Sequence, residues 1–157
     1  MNTPEQLLER AIELSQLAVD RNAGGPFGAL IVRGSQVIAE GHNRVLADND
    51  PTAHAEVVAI RGACRSLSTF RLEGCELYTS CEPCPMCLGA IYWARLERVF
   101  YANTRKEAAA IGFDDAHLYV EFAQEIEARS IPFTRIAHPN AIAPMQAWQR
   151  KADKRLY

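Results

Sequence analysis

The chain carries His54-Ala55-Glu56 and, well downstream, Pro83-Cys84-Pro85-Met86-Cys87. One imidazole and two thiolates can hold a zinc ion while leaving its fourth tetrahedral position open, so the fold must bring these two segments to one point. Each falls where hydrophobic spacing starts a helix. His54 and Glu56 are expected in the first turn of one helix. Cys84 and Cys87 are expected at the start of another, three positions apart and therefore on one face. Helix N-termini carry partial positive charge and free N–H groups, which favour thiolates. Pro85 suits a first-turn position because its missing N–H would have no intrahelical partner there.

Two thiolates offset the charge of Zn²⁺, and a neutral imidazole completes three protein ligands. Water in the remaining position has its pKa brought from near 16 to about 7. Glu56, two residues from the histidine, is placed to take that water's proton and return it to a leaving group, work typically worth roughly 10²–10⁴ in rate. Other uses of the same residues exist. Cys81 would close a structural zinc site as a fourth ligand, but Glu56 would then have no role. Cys81-x-x-Cys84-x-x-Cys87 also matches part of an iron–sulfur run, yet Leu88 to Ala94 contains no further cysteine. Cys64 and Cys75 read as buried small apolar residues.

At 157 residues the chain fits one domain spanning 1–157 with one sizeable core. Its net charge of −2 argues against a protein that grips phosphate backbones, which usually shows a strongly basic face. Arg150, Lys151, Lys154 and Arg155 form a local basic cluster, read as a solvated helix face that complements the C-terminal dipole, with tRNA contact as its other use. Three of the five cysteines crowd together, a metal-binding pattern rather than a disulfide framework. The N-terminus lacks a basic-then-apolar leader, and runs such as Ala29-Leu30-Ile31-Val32 are too short to span a bilayer. The expected location is the cytoplasm.

Thr3-Pro4-Glu5-Gln6 is a helix start with a capping box, and Leu7, Ala11, Leu14 and Ala18 follow at helical spacing. Strands are expected over Gly28 to Arg33 and Gln36 to Glu40, joined by a Gly34-Ser35 turn. After a loop at residues 48–52 come a helix from His54 to about Leu67 and a strand from Cys75 to Ser80. A helix from Pro85 to Arg95 and a strand from Arg98 to Ala102 follow. A helix near 116–128, a short strand near Phe133 to Ile136 and a helix from about Pro144 complete the chain. This order predicts an α/β fold of three layers, a mixed sheet of about five strands sandwiched by helices.

The H-x-E…P-C-x-x-C pairing resembles the signature of zinc-dependent nucleobase deaminases. The chain is similar to the cytidine-deaminase-like superfamily and, within it, to the bacterial guanine deaminases. That likeness runs through Gly24-Gly25-Pro26-Phe27-Gly28-Ala29, Asn49 to Glu56 and Tyr78 to Arg95. Gly112-Phe113-Asp114-Asp115, Gln146-Ala147-Trp148 and a terminal Tyr157 are its guanine-type markers. The resemblance implies one zinc per subunit on His54, Cys84 and Cys87, with Glu56 and Asp115 catalytic. It implies substrate contacts from Phe27 against the ring, Asn43 at a ring edge, Ala55, Trp93 closing one side, and Tyr157 covering a neighbouring subunit's site. The implied partners are a purine base and a second copy of the chain, with about residues 140–157 exchanged between copies. The implied reaction converts guanine to xanthine and ammonia, with related amino-purines, nucleosides, triazines or tRNA adenosine as alternatives. On the residues alone, Phe27 reads equally as core, Asn43 as a turn residue, Asp114-Asp115 as helix caps and Trp93 as packing.

Overall fold

A computed structural model describes residues 3–157. The chain divides into two compact units, the first running to Ala116 and the second covering His117–Tyr157.

The first unit is built on a four-stranded mixed sheet. Helix α1 (Pro4–Asp20) begins at the expected capping box, with Thr3 and Gln6 bonding reciprocally. Strands β1 (Gly28–Arg33) and β2 (Gln36–His42) form the antiparallel hairpin, β2 running two residues longer than expected. A single-turn helix α2 (Val45–Asp48) precedes the loop before α3 (Ala55–Ser66). Then come β3 (Cys75–Cys81), α4 (Pro85–Ala94) and β4 (Arg98–Asn103). The strand order is β2-β1-β3-β4, with β1 antiparallel to β3 and β3 parallel to β4 across the α4 crossover.

Alternation along β1 makes three layers. Leu30 and Val32 point to α1 and pack with Leu7, Ala11, Leu14 and Tyr78. Ala29 and Ile31 point to the other side, where α3 supplies Ala55, Ala59 and Ile60 and α4 supplies Ile91 and Ala94. Both faces of the central strands are covered, which explains their near-continuous apolar sequence. Helix α3 lies directly on β2: a Cβ on Gly41 would stand 2.6 Å from the Ala55 carbonyl oxygen and 2.7 Å from the Ala59 nitrogen. That approach fixes the N-terminus of α3, and with it His54 and Glu56.

The structure differs from expectation in the sheet and after it. The sheet has four strands rather than about five. Phe133 to Ile136 forms no strand, because Pro132 removes a backbone donor and, among the described residues, the second unit holds no strand to pair with. A helix that the sequence reading passed over, α5 (Arg105–Ala110), follows β4. Its signal was the T-x-x-E start, for the Glu107 carboxylate reaches back to the Thr104 N–H at 2.8 Å and hydroxyl at 2.9 Å.

In the second unit, α6 (Ala116–Ala123) starts at the boundary and stops short of the expected 128, giving way to a 3₁₀ turn over Ile126–Ala128. Helix α7 (Ala143–Arg150) has Pro144 in its first turn. Among the described residues no helix is long and apolar enough to cross a membrane.

Candidate metal centre and active site

Two helix starts meet at the site. His54 is the N-cap of α3 and Cys84 the N-cap of α4, both in extended backbone conformation. His54 therefore stands one position before the helix rather than in its first turn, where Glu56 does lie. Neither helix start carries a side-chain cap hydrogen bond. An ordinary Ser, Thr or Asp cap there contributes about 1 kcal/mol, which this arrangement forgoes to leave the imidazole and the thiol free for another partner. Cys87 lies three residues after Cys84, in the first turn of α4, and is fully buried.

Among the described residues one group of His, Cys, Asp or Glu side chains gathers three potential ligand atoms within 4.8 Å of one another: His54, Cys84 and Cys87. His54 Nδ1 is 3.5 Å from Cys84 Sγ and 3.5 Å from Cys87 Sγ. A tetrahedral zinc with bonds of roughly 2.1 Å to nitrogen and 2.3 Å to sulfur separates those atoms by about 3.6 Å, so the donor set fits the ion. Cys81, the alternative fourth ligand, stands outside the group. Its thiol points to the Thr104 carbonyl at 3.7 Å, and burial followed by the nearby Glu56 carboxylate pushes its pKa up to about 11.

The electrostatics suit a dication. Hydrogen bonding from Cys87, with His54 adding to it, holds the Cys84 thiol down at about 4 against the penalty of burial. Cys87 is pushed upward, chiefly because Cys84 is its neighbour and then by burial. One sulfur thus ionises readily while the second resists, and a bound dication removes the repulsion between them. His54 is raised through its contact with Cys84. Glu56 is 6% exposed, and burial raises its pKa, so this carboxyl holds a proton more readily than a solvated one.

The remaining candidates are placed as follows. Asp115 is half-buried and raised first by desolvation and then by the charge on Cys84, which puts its carboxyl in the field of the ligand group. Ala55, fully buried, presents at the first position of α3 one of the N–H groups that a helix leaves without an internal acceptor. Asn43 is 3% exposed. Its N–H bonds the Phe27 carbonyl at 2.9 Å and its Oδ1 accepts from the Val45 N–H at 3.1 Å. Phe27 meets Phe113 edge-on, with ring centroids 5.0 Å apart at 86°. The sequence reading quoted Phe113 as a marker without giving it this place.

Trp93 is on α4. It lies six residues past Cys87, about 240° around α4 and about 9 Å along its axis, and is 64% exposed. Tyr157 lies in the second unit and is exposed. In the basic cluster, Lys151 pairs with Asp153 and Lys154 donates to the Gln149 carbonyl of α7 at 2.6 Å, as a solvated helix end does.

The cytidine and deoxycytidylate deaminase zinc-binding region matches residues 1–103. A guanine deaminase from Bacillus subtilis is 52% identical over 153 residues, covering 98% of both chains. The X-ray structure of guanine deaminase from that organism superposes with a TM-score of 0.95 at 52% identity, covering 100% of this chain and 99% of the other. A tRNA-specific adenosine deaminase from Aquifex aeolicus is 46% identical over 86 residues, 55% of this chain and 57% of its own. A solved protein in complex with 8-azaguanine is 37% identical with a TM-score of 0.68, covering 72% of this chain and 65% of that one.

Proposed function

The chain belongs to the family of the cytidine and deoxycytidylate deaminase zinc-binding region, and on that premise we propose that it hydrolyses free guanine to xanthine and ammonia. The observation that carries the reading is the His54–Cys84–Cys87 group with buried Glu56 beside it, in a chain alike from end to end to a guanine deaminase. The tRNA-specific relative covers about half of this chain, and within the basic cluster Lys151 pairs with Asp153.

His54, Cys84 and Cys87 would hold the zinc ion, which when bound would supply a water acidic enough to ionise near neutral pH. Glu56 takes a proton from that water and delivers it to the ring nitrogen beside C2. With the water oxygen bonded to C2, Glu56 takes the remaining proton from that oxygen and gives it to the exocyclic amine, so that the bond from C2 to the amine breaks and ammonia leaves as the oxygen becomes the new carbonyl. Burial favours the protonated Glu56 that the middle of this sequence requires.

Recognition follows from the donors left over. The Oδ1 of Asn43 is taken by Val45, so its Nδ2 group remains to donate, and a ring carbonyl such as that of guanine is a fitting acceptor. Asp115 accepts from the exocyclic amine, Ala55 offers its N–H, Phe27 provides the flat wall and Trp93 closes one side. We assign one zinc per chain. The working form is a homodimer in which about residues 140–157 are exchanged and Tyr157 covers the partner's pocket. The second unit supports this: among its described residues none is buried, so it needs a partner to cover its apolar side chains. Purine breakdown or salvage in the cytoplasm is the setting that fits.

The test is a panel of guanine, cytosine, adenosine and tRNA presented to zinc-loaded protein with ammonia detection. Release from guanine alone is expected. Release from cytosine or a nucleoside and none from guanine removes the substrate assignment.

A further inference from the structure

Gly24 and Gly25 stand just before Pro26 and Phe27, in a stretch whose glycines the reaction leaves unexplained. Among the described residues the glycines with positive φ are Gly34, Gly74 and Gly112. No left-handed backbone therefore demands glycine at 24 or 25, and the reason lies in the surrounding space. A Cβ on Gly24 would stand 1.9 Å from Asn43 Oδ1 and 2.8 Å from its Cγ. A Cβ on Gly25 would stand 2.8 Å from both Phe113 Cζ and Phe27 Cε2. Two adjacent missing methyl groups thus make room for two different parts of one pocket.

The neighbours differ in how far they can give way. Asn43 is buried and tied at both ends, by its N–H to Phe27 and by its Oδ1 to Val45. Displacing the amide breaks the bond that orients it and turns its Nδ2 away. Phe113 is 46% exposed, so the ring pair can open outward.

We propose that Gly24 is a specificity-positioning residue: its bare Cα fixes the Asn43 amide as a donor and so sets the preference for a base bearing a ring carbonyl. Gly25 makes room for the Phe27–Phe113 pair, which packs on a ring without reading its edge. The proposal rests on the assignment of Asn43 to the carbonyl of guanine.

The experiment is a double-mutant cycle of Gly24→Ala and Asn43→Ala, read by KM for guanine, by competition from 2-aminopurine and by Tm. 2-Aminopurine lacks the ring carbonyl. Gly24→Ala is expected to raise KM for guanine about ten- to hundredfold, the cost of one lost oriented hydrogen bond, with zinc content unchanged. The inhibition constant of 2-aminopurine should move by less than about threefold. In the Asn43→Ala background the same substitution should change KM by less than about twofold, because the contact at 3.3 Å that remains is with the residue's own backbone carbon. Gly25→Ala should weaken both bases together. Equal losses for both bases in Gly24→Ala, or an undiminished effect in the Asn43→Ala background, overturn the proposal. Should Gly24→Ala fail to fold, the Tm of the double variant decides: equality with Asn43→Ala alone is expected, and a further fall contradicts the proposed contact. If the wild-type protein leaves guanine untouched, the substrate reading fails while the Tm cycle still tests the contact.

Discussion

The two units of this chain use apolar residues in opposite ways. The first seals Leu30, Ile31, Leu72 and Leu77 away from solvent between sheet and helices, and its metal ligands sit on helix ends braced by that core. The second leaves Phe122 62% and Ile136 85% exposed, and none of its described residues is buried. A segment of that size in which no described residue is fully sealed offsets little of the entropy of its own ordering. The contrast separates a scaffold that holds the chemistry by itself from a tail whose stability has to come from elsewhere.

The largest expected effect tests whether the chemistry belongs to the first unit. Glu56→Ala should lower turnover of guanine by roughly 10²–10⁴ while zinc content is kept. Because it removes a carboxyl that burial already strains, Tm should not fall. Loss of zinc would instead make Glu56 a structural member of the site. Next, Leu77→Ala should destabilise the protein by about 2–5 kcal/mol in denaturant unfolding, the usual cost of emptying a sealed core position. A cost below 1 kcal/mol would break the contrast between the units.

Deleting Tyr157 sharpens the contrast from the other side. It should lower kcat/KM by about tenfold, equivalent to about 1.4 kcal/mol, with zinc and Tm unchanged. Unchanged kinetics would remove its covering role. The smallest effect concerns an ion pair on the first unit's surface. Arg10 grips both carboxylate oxygens of Glu40 at 2.7 and 2.8 Å, and this hydrogen bonding holds the Glu40 pKa below its ordinary 4.5. A depressed carboxylate pKa gives stability that is present above pH 4.5 and lost as pH falls through the lower folded value. Both partners are about a third or more exposed, so Glu40→Gln should cost at most about 0.5 kcal/mol near neutral pH and nothing once Glu40 is protonated. A pH-independent cost would show that packing rather than charge is at work.

Legibility in the sequence follows the same division. The capping box at Thr3, the apolar runs of β1 and β2 around the Gly34-Ser35 turn and the helix starts at His54 and Cys84 were readable, because local chemistry and tertiary packing agree there. The supposed strand at Phe133 to Ile136 failed because strand-like composition forms nothing without a neighbour to bond. Metal ligands were legible from residue type and spacing. Positions around the substrate were less so, since an asparagine or phenylalanine means little until its contacts are known. The edge-on placement of Phe113 against Phe27 comes from three-dimensional packing. Helix α5 carries a local signal as well, the T-x-x-E start at Thr104 and Glu107.

The claim beneath all of this is that three side chains of the first unit grip zinc and leave one position to water. X-ray absorption at the zinc edge of the resting protein measures the ligand shell directly. The account predicts two sulfur neighbours at about 2.3 Å and two lighter ones at about 2.0–2.1 Å, with the sulfur count unchanged in Cys81→Ser. Three sulfur neighbours, falling to two on that substitution, would mean that Cys81 closes the site, contradicting an open hydrolytic centre.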